Sequence, residues 1–433
     1  MIENNAYRVA GLIGLALLDG AAYFWEIGAH QTSDNLFIAL TLLQAGIALA
    51  ATQMAKVQPR ATTVGIIFVA AVAFRLIAIW SPPLLSDDIY RYIWDGRLIN
   101  HGFNPYLHVP ADPSLAFLRD GLIYPHIDKR DYAVTIYPPV AEAIFALISR
   151  ISDSLMAFKL AMVGFEAIGI AALWVMLKQL GKSPLLITAY LWHPAPVWEI
   201  ANGGHVDAIM MGLLLVAFAL SAKVFRPYLS GALMALAALS KPWGALWLAT
   251  LWKPWDIKLP LFVLAFAALW YLPFVSAGSG VLGFLSTYLH EQGLDSGYGF
   301  FLVGLARRMG ASPGVLWLYL GAGGAILLWL AIFPAFAPNR SLAMRLFHAQ
   351  WLTITFLWLL TPVYPWYFLL AAPFVALQGS WSAFAMLTSG FWLYTFNPDA
   401  LDFNIRWGAS LAVITLCAFV DFIGNRQFTK VFS

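Results

Sequence analysis

Two adjacent aspartates, Asp87 and Asp88, open the stretch of this chain in which titratable side chains are most crowded. Between Ser81 and Ile136 they are joined by Asp95, Asp112, Asp120, Asp128 and Asp131, and by His101, His108 and His126. Seven of the 22 acidic residues therefore fall in one segment far longer than a connector needs to be, and long structured loops usually carry function. The segment from Ser86 to Arg97 has helical spacing. Ile89, Tyr92, Ile93 and Gly96 share one face, and Asp88, Arg91 and Asp95 share the other. Arg91 stands four residues after Asp87, three after Asp88 and four before Asp95, within reach of any of them. A carboxylate held ionised by such a cation is what general-base chemistry requires. The alternative is an acidic cap on an interfacial helix, since aspartate is favoured at helix starts.

Other polar residues stand out by their surroundings. Lys241, followed by Pro242 and Trp243, lies in an apolar neighbourhood, where a cation is costly and functional by default unless it snorkels to the interface. Arg97 and His205 are weaker cationic candidates. His205 and Asp207 follow Gly203-Gly204 at an expected helix start, where they either line a cavity or cap the helix. Tyr364, Trp366 and Tyr367 offer a stacking surface, or part of an interfacial aromatic belt. Glu142 and Glu199 are acids in apolar settings with no partner visible in sequence. No tight ligand-spacing motif accompanies the seven aspartates and three histidines, so no obligatory divalent metal is expected.

The elements that must position these residues follow from composition. The 433 residues are 61% hydrophobic and only 11% charged, with a mean hydropathy of +0.75; a soluble domain carries about 25% charged residues. Long apolar runs recur along the whole chain, and each crossing needs roughly 20 apolar residues. Backbone groups in lipid must be paired internally, so the runs are helices, and the alternation of a membrane barrel is absent. The expected fold is an all-α polytopic transmembrane bundle forming one domain over 1–433, with about 12–14 spans by that length rule. Residues 1–61 form two N-terminal spans, 81–135 an outer catalytic loop with interfacial helices, and 136–433 the remaining bundle. The spans lie near 8–29, 36–55, 62–80, 155–178, 183–200, 206–222, 228–252, 258–276, 313–336, 344–361, 364–378, 380–396 and 405–424. The 228–252 run invites a break at Pro242, while 136–151 and 298–309 read as half-inserted or interfacial. Asp19 and Glu26 within the first run favour a retained span over a cleaved signal.

Lys56, Arg60, Lys178, Lys182, Lys223, Arg226, Lys253, Lys258, Arg340, Arg345, Arg426 and Lys430 then fall on one side, which basic loops mark as cytoplasmic. The loops at 81–135 and near Gly203, Lys241, His290, Tyr364 and Asp399 face outward. A net charge of +3 is too small and scattered for a nucleic-acid binder. The single cysteine, Cys417, allows neither a disulfide framework nor a thiolate metal site. No strong internal repeat is present, which disfavours many transporter architectures.

The stretch SDDIYRYIWDGRLINHGFNPY resembles the first outer loop of C-type (GT-C) membrane glycosyltransferases, in the branch of polyprenyl-phosphate-mannose-dependent mannosyltransferases. Ile136-Tyr137-Pro138-Pro139, Asn202-Gly203-Gly204-His205-Val206-Asp207, Ser240-Lys241-Pro242-Trp243 and Tyr364-Pro365-Trp366-Tyr367 continue the resemblance in order. It implies a bundle whose first outer loop holds an aspartate over a lipid-open cavity. It maps the acidic pair onto Asp87 and Asp88, with Asp87, the first acid, as the base that deprotonates the acceptor hydroxyl. Inverting transfer of a sugar, mannose by resemblance, from a polyprenyl-phosphate donor would follow. Lys241, Arg91, Arg97, His205, Asp207, Tyr364, Trp366 and Tyr367 are the candidates for binding donor phosphate or sugar. The implied partners are that donor, membrane lipid, and a glycolipid, polysaccharide or protein acceptor. The implied place is the outer face of a bacterial cytoplasmic membrane, with a role in the cell envelope and no obligatory cofactor. The competing readings are a multi-span lipid or solute transporter, which leaves the acidic loop unexplained, and a lipid-linked oligosaccharide polymerase or ligase, whose key loop is usually late and arginine-rich.

Overall fold

The computed structural model describes residues 2–29, 34–56, 61–221, 226–337, 340–394 and 400–424. Among these, every regular element is helical. The first six principal helices are α1 (Ile2–Ala29), α2 (Asp34–Ala55), α3 (Ala61–Trp80), α4 (Asp88–Asn100), α5 (Pro139–Ile151) and α6 (Leu155–Gln179). Among the described residues, seven helices are long and apolar enough to cross a membrane, or eight with the bent pair described below counted as one span. The chain is thus a multi-pass membrane protein. Exposed Leu17, Val69, Leu264, Leu318 and Leu416 give these helices an apolar outer surface, as lipid contact requires.

The difference from the expected span count has a physical cause. The expected spans near 183–200, 206–222, 228–252, 364–378 and 380–396 are helical but interrupted. The helix is interrupted at His193-Pro194, Gly203-Gly204 and Lys241-Pro242, the segments Asp207–Ser221, Pro365–Gln378 and Trp381–Gly390 are shorter than a crossing, and the expected span near 344–361 forms as the unbroken Leu342–Leu360. Irregular backbone at membrane depth is tolerated where protein or a cavity surrounds it. The two segments expected to be half-inserted are short helices: α5 has 13 residues and Phe301–Arg308 has eight. Arg60, Lys223, Asp399, Arg426 and Lys430, used above for orientation, lie outside the described residues.

Helix α4 forms where its spacing predicts, starting at Asp88. Its polar face, however, is turned inward. Every residue from Ile89 to Leu98 is buried, including Arg91, Asp95 and Arg97. The apolar face packs on α5, where Tyr92 stacks on Phe145 at 4.6 Å. At Gly96 an added Cβ would collide with the backbone of Phe145. The loop that follows, with its short turns at Pro113–Leu118 and Tyr124–His126, covers the other face and supplies the partners that let the polar side chains be buried.

Candidate active site

The exit from α3 is fixed by one amide side chain. Asn202 Oδ1 accepts from Leu84 N at 2.9 Å, and Nδ2 donates to Ala78 O, Ser81 Oγ and Pro82 O at 3.1, 2.6 and 2.8 Å. Lys159, buried in α6, donates to Ser81 O at 2.6 Å and so satisfies a carbonyl freed at the helix end. The chain thereby leaves the membrane directly beside the Asn202-Gly203-Gly204-His205 turn. Asn202 closes a π-helical turn, Val197–Asn202, a geometry frequent at functional sites. After it the backbone bends by 119° into Asp207–Ser221. Gly204 makes the bend with φ +66°, and a Cβ there would meet Ile89 Cδ1 of α4 at 2.6 Å, so only glycine fits.

Lys241 occupies the next interruption. The helix Pro227–Ala238 ends before it, and the following proline pushes Lys241 into an extended conformation, φ −150° and ψ 125°. Leu239 O accepts from Val140 N and Ala141 N of α5 at 3.0 and 3.3 Å, so the Tyr137-Pro138-Pro139 turn is tied to the same place. Lys241 Nζ is 2.6 Å from Asp207 Oδ2 and 5.0 Å from the centre of the Tyr367 ring. The pair is almost wholly buried, with side-chain exposures of 10% and 0%.

Asp88 points into this group. Its Oδ2 lies 3.9 Å from His205 Nδ1, and His205 Nε2 lies 3.4 Å from Glu199 Oε2. Its side chain retains 34% accessibility while protein groups surround it. Burial raises its carboxyl above the ordinary aspartate range; Lys241 pulls it back, Asp207 pushes it up, and the Tyr137 hydroxyl steadies the charged form. Asp87 sits at the cap position of α4, exposed, and makes no side-chain cap hydrogen bond. Partial burial raises its carboxyl too, opposed by His126 and reinforced by Asp128.

The aromatic candidates form the adjoining wall. Trp366 stacks on the His205 ring at 4.4 Å and on Tyr364 at 4.6 Å, both nearly parallel. Both close stacking contacts of Trp366 are therefore protein rings. The Tyr367 hydroxyl meets that of Tyr288 at 2.7 Å. Glu199 Oε1 accepts from the Tyr394 hydroxyl at 2.8 Å.

Asp88, His205, Asp207, Lys241, Tyr364, Trp366 and Tyr367 are thus brought together from four separated segments, while Asp87, next to Asp88 in the chain, faces His126 and Asp128. Arg91 and Arg97 are not. Arg91 pairs with Asp95 at 2.8 Å and donates to Ala133 O at 2.9 Å; of the three carboxylates in sequence reach, the chain uses the buried one. Arg97 holds Asp120 at 2.6 Å, Asp153 at 3.0 Å and Leu118 O at 2.8 Å. Each ties α4 to the covering loop, and Glu142, accepting from Thr135 Oγ1 at 2.6 Å, does the same from α5. Tyr394, Tyr288 and the buried Lys159 escaped the sequence reading. Only Lys159 left a signal there, as a cation inside an apolar span. Among the described residues no group of three or more His, Cys, Asp or Glu side chains converges as a metal site.

A family model described as alpha-(1->6)-mannopyranosyltransferase, N-terminal domain, matches residues 9–255. The matched range contains the acidic pair, the Asn202–Asp207 turn and Lys241. A search of curated proteins returns no match.

Proposed function

Because this chain belongs to the alpha-(1->6)-mannopyranosyltransferase family of C-type membrane glycosyltransferases, we propose that it transfers mannose from a polyprenyl-phosphate donor to an acceptor hydroxyl, with inversion, at the outer membrane face. That it is a mannosyltransferase follows from the family; donor, stereochemistry, base and sidedness are our reading. The observation that carries it is the convergence of Asp88, the immediate chain neighbour of the uncapped Asp87, with His205, Asp207 and the buried Lys241.

Asp87 accepts the acceptor's proton. It is open to the outer loop, and its partial burial makes it a stronger base than a free aspartate. The acceptor oxygen attacks the anomeric carbon from the face opposite the phosphate, so a β-linked donor gives an α-linked product. The bond to the phosphate breaks, and the leaving polyprenyl phosphate gains a negative charge. Lys241, fixed by Asp207 and Tyr367, is the preorganised cation for that charge. Asp88, His205 and Asp207 organise the inner wall, while Tyr364, Trp366 and Tyr367 hold it in shape and leave their outer edges to sugar and isoprenoid. Arg91 and Arg97 act at one remove, by fixing α4 beneath the acidic pair. No obligatory metal is proposed.

The test is transfer by purified protein from a panel of radiolabelled polyprenyl-phospho-sugars to membrane lipid extract, in the wild type, Asp87→Asn and Asp88→Asn. Mannose should be preferred, and Asp87→Asn should lose about 10² to 10⁴ of the rate, the range for a positioned base. Transfer that survives both substitutions removes the proposed base.

A further inference from the structure

Beneath Asp88 lies an array that the proposed reaction does not use. His205 is fully buried, and neither ring nitrogen makes a hydrogen bond within the protein. Yet its two nitrogens face two carboxylates, Asp88 at 3.9 Å and Glu199 at 3.4 Å. The ring stacks on Trp366, and the far oxygen of Glu199 is held by Tyr394, so neither group is free to turn away. A neutral imidazole offers one donor and one acceptor. Between two ionised carboxylates, one of its nitrogens would present a lone pair to a carboxylate oxygen, and an unmet buried polar contact is costly. One further proton resolves the conflict. On His205 it makes both nitrogens donors; on Asp88 or Glu199 it turns that carboxyl into the donor.

We infer that Asp88, His205 and Glu199 hold one shared proton, and that Glu199 is a positioning residue which, through His205, lets the anionic donor approach Lys241 without facing an uncompensated Asp88 charge. His205 meets Lys241, whose charge disfavours a proton on the ring and leaves the shared proton to Asp88 or Glu199. Asp88 meets Lys241, Asp207, Tyr137 and Asp128, and Glu199 meets Tyr394, Asp207 and Lys241. The single cation there is already paired with Asp207. As pH rises and the shared proton is lost, Asp88 repels the phosphodiester, so donor affinity falls. The inference rests on the reading that the site takes a polyprenyl phosphodiester.

The experiment uses full-length Asp87→Asn protein in nanodiscs, blocked in turnover, and measures binding of polyprenyl-phosphomannose from mildly acid to mildly alkaline pH. Affinity should weaken with rising pH, by up to about tenfold per unit for loss of one proton. In active protein, donor KM should rise over the same range with kcat following a different profile. Adding Glu199→Gln supplies an amide donor to His205 without a titrating proton, and should flatten the dependence at the weak, high-pH level. Should that variant fail to fold, His205→Gln carries the same expectation. A wild-type slope in either folded variant overturns the inference, as does a flat profile in the parent. Asp87→Asn protein that binds no donor at any pH overturns the reading of the site itself, and the inference with it.

Discussion

Replacing Lys241 by Met separates its two roles, in holding Asp207 and in stabilising the leaving phosphate. The ammonium sits 2.6 Å from Asp207 Oδ2, with the carboxylate wholly enclosed and its second oxygen making no hydrogen bond. Removing one partner of such a pair leaves a buried charge, at about 3–5 kcal/mol. Lys241→Met should therefore lower stability by that order and lower transfer as well. The double variant Lys241→Met with Asp207→Asn removes the stranded charge, so most of the stability should return. Activity should not, because no cation then faces the phosphate. Loss of a preorganised group of this kind costs about 10² to 10³ in rate. Thermal unfolding in detergent, read beside single-turnover transfer, measures both quantities on one preparation. If the double variant regains transfer together with stability, Lys241 is only a structural ion-pair member, and its role at the phosphate is refuted.

Two further outcomes follow from the site. Gly204→Ala places a methyl at a positive φ and against Ile89, so the turn is strained and the buried Ile89 side chain of α4 must give way; we expect transfer to fall about tenfold while the protein remains in the membrane fraction, checked by activity per mole of folded enzyme. Chelation should leave transfer unchanged; loss of activity that magnesium or manganese restores would contradict the absence of an obligatory metal.

Sequence made the membrane class, the long spans and the helical start at Asp88 legible because each depends on local pattern: apolar length for the spans, spacing for α4. The motif pieces could be ordered by resemblance, but their convergence could not be seen. Lys241 and Asp207 stand 34 residues apart, and Glu199 and Tyr394 stand 195 apart; neither pairing has a local signature. Arg91 shows the limit of spacing rules most directly. Helical reach allowed three carboxylates, and burial selected Asp95, because only there could the guanidinium also reach Ala133 O. Most of the breaks within the apolar runs were hidden for a related reason. Hydropathy registers apolar length, whereas a proline or a glycine pair within that length decides whether the helix crosses or turns back to form a wall.

The four hydrogen bonds of Asn202 have a mechanical consequence. They join the end of α3 to the π-helical turn, and that turn leads within five residues to the carboxylate gripping Lys241. The spacing between Asp88 and Lys241 is thus set by a side-chain amide and a short backbone bend, not by how far each helix emerges from the lipid. Bilayers that thicken or thin would tilt first the helices with least protein around them, Lys258–Glu291 and Val315–Phe336, and leave that spacing unchanged. Lipid composition would then act on this enzyme through how readily its substrates reach the cavity, while the chemical step stays insulated from the membrane around it.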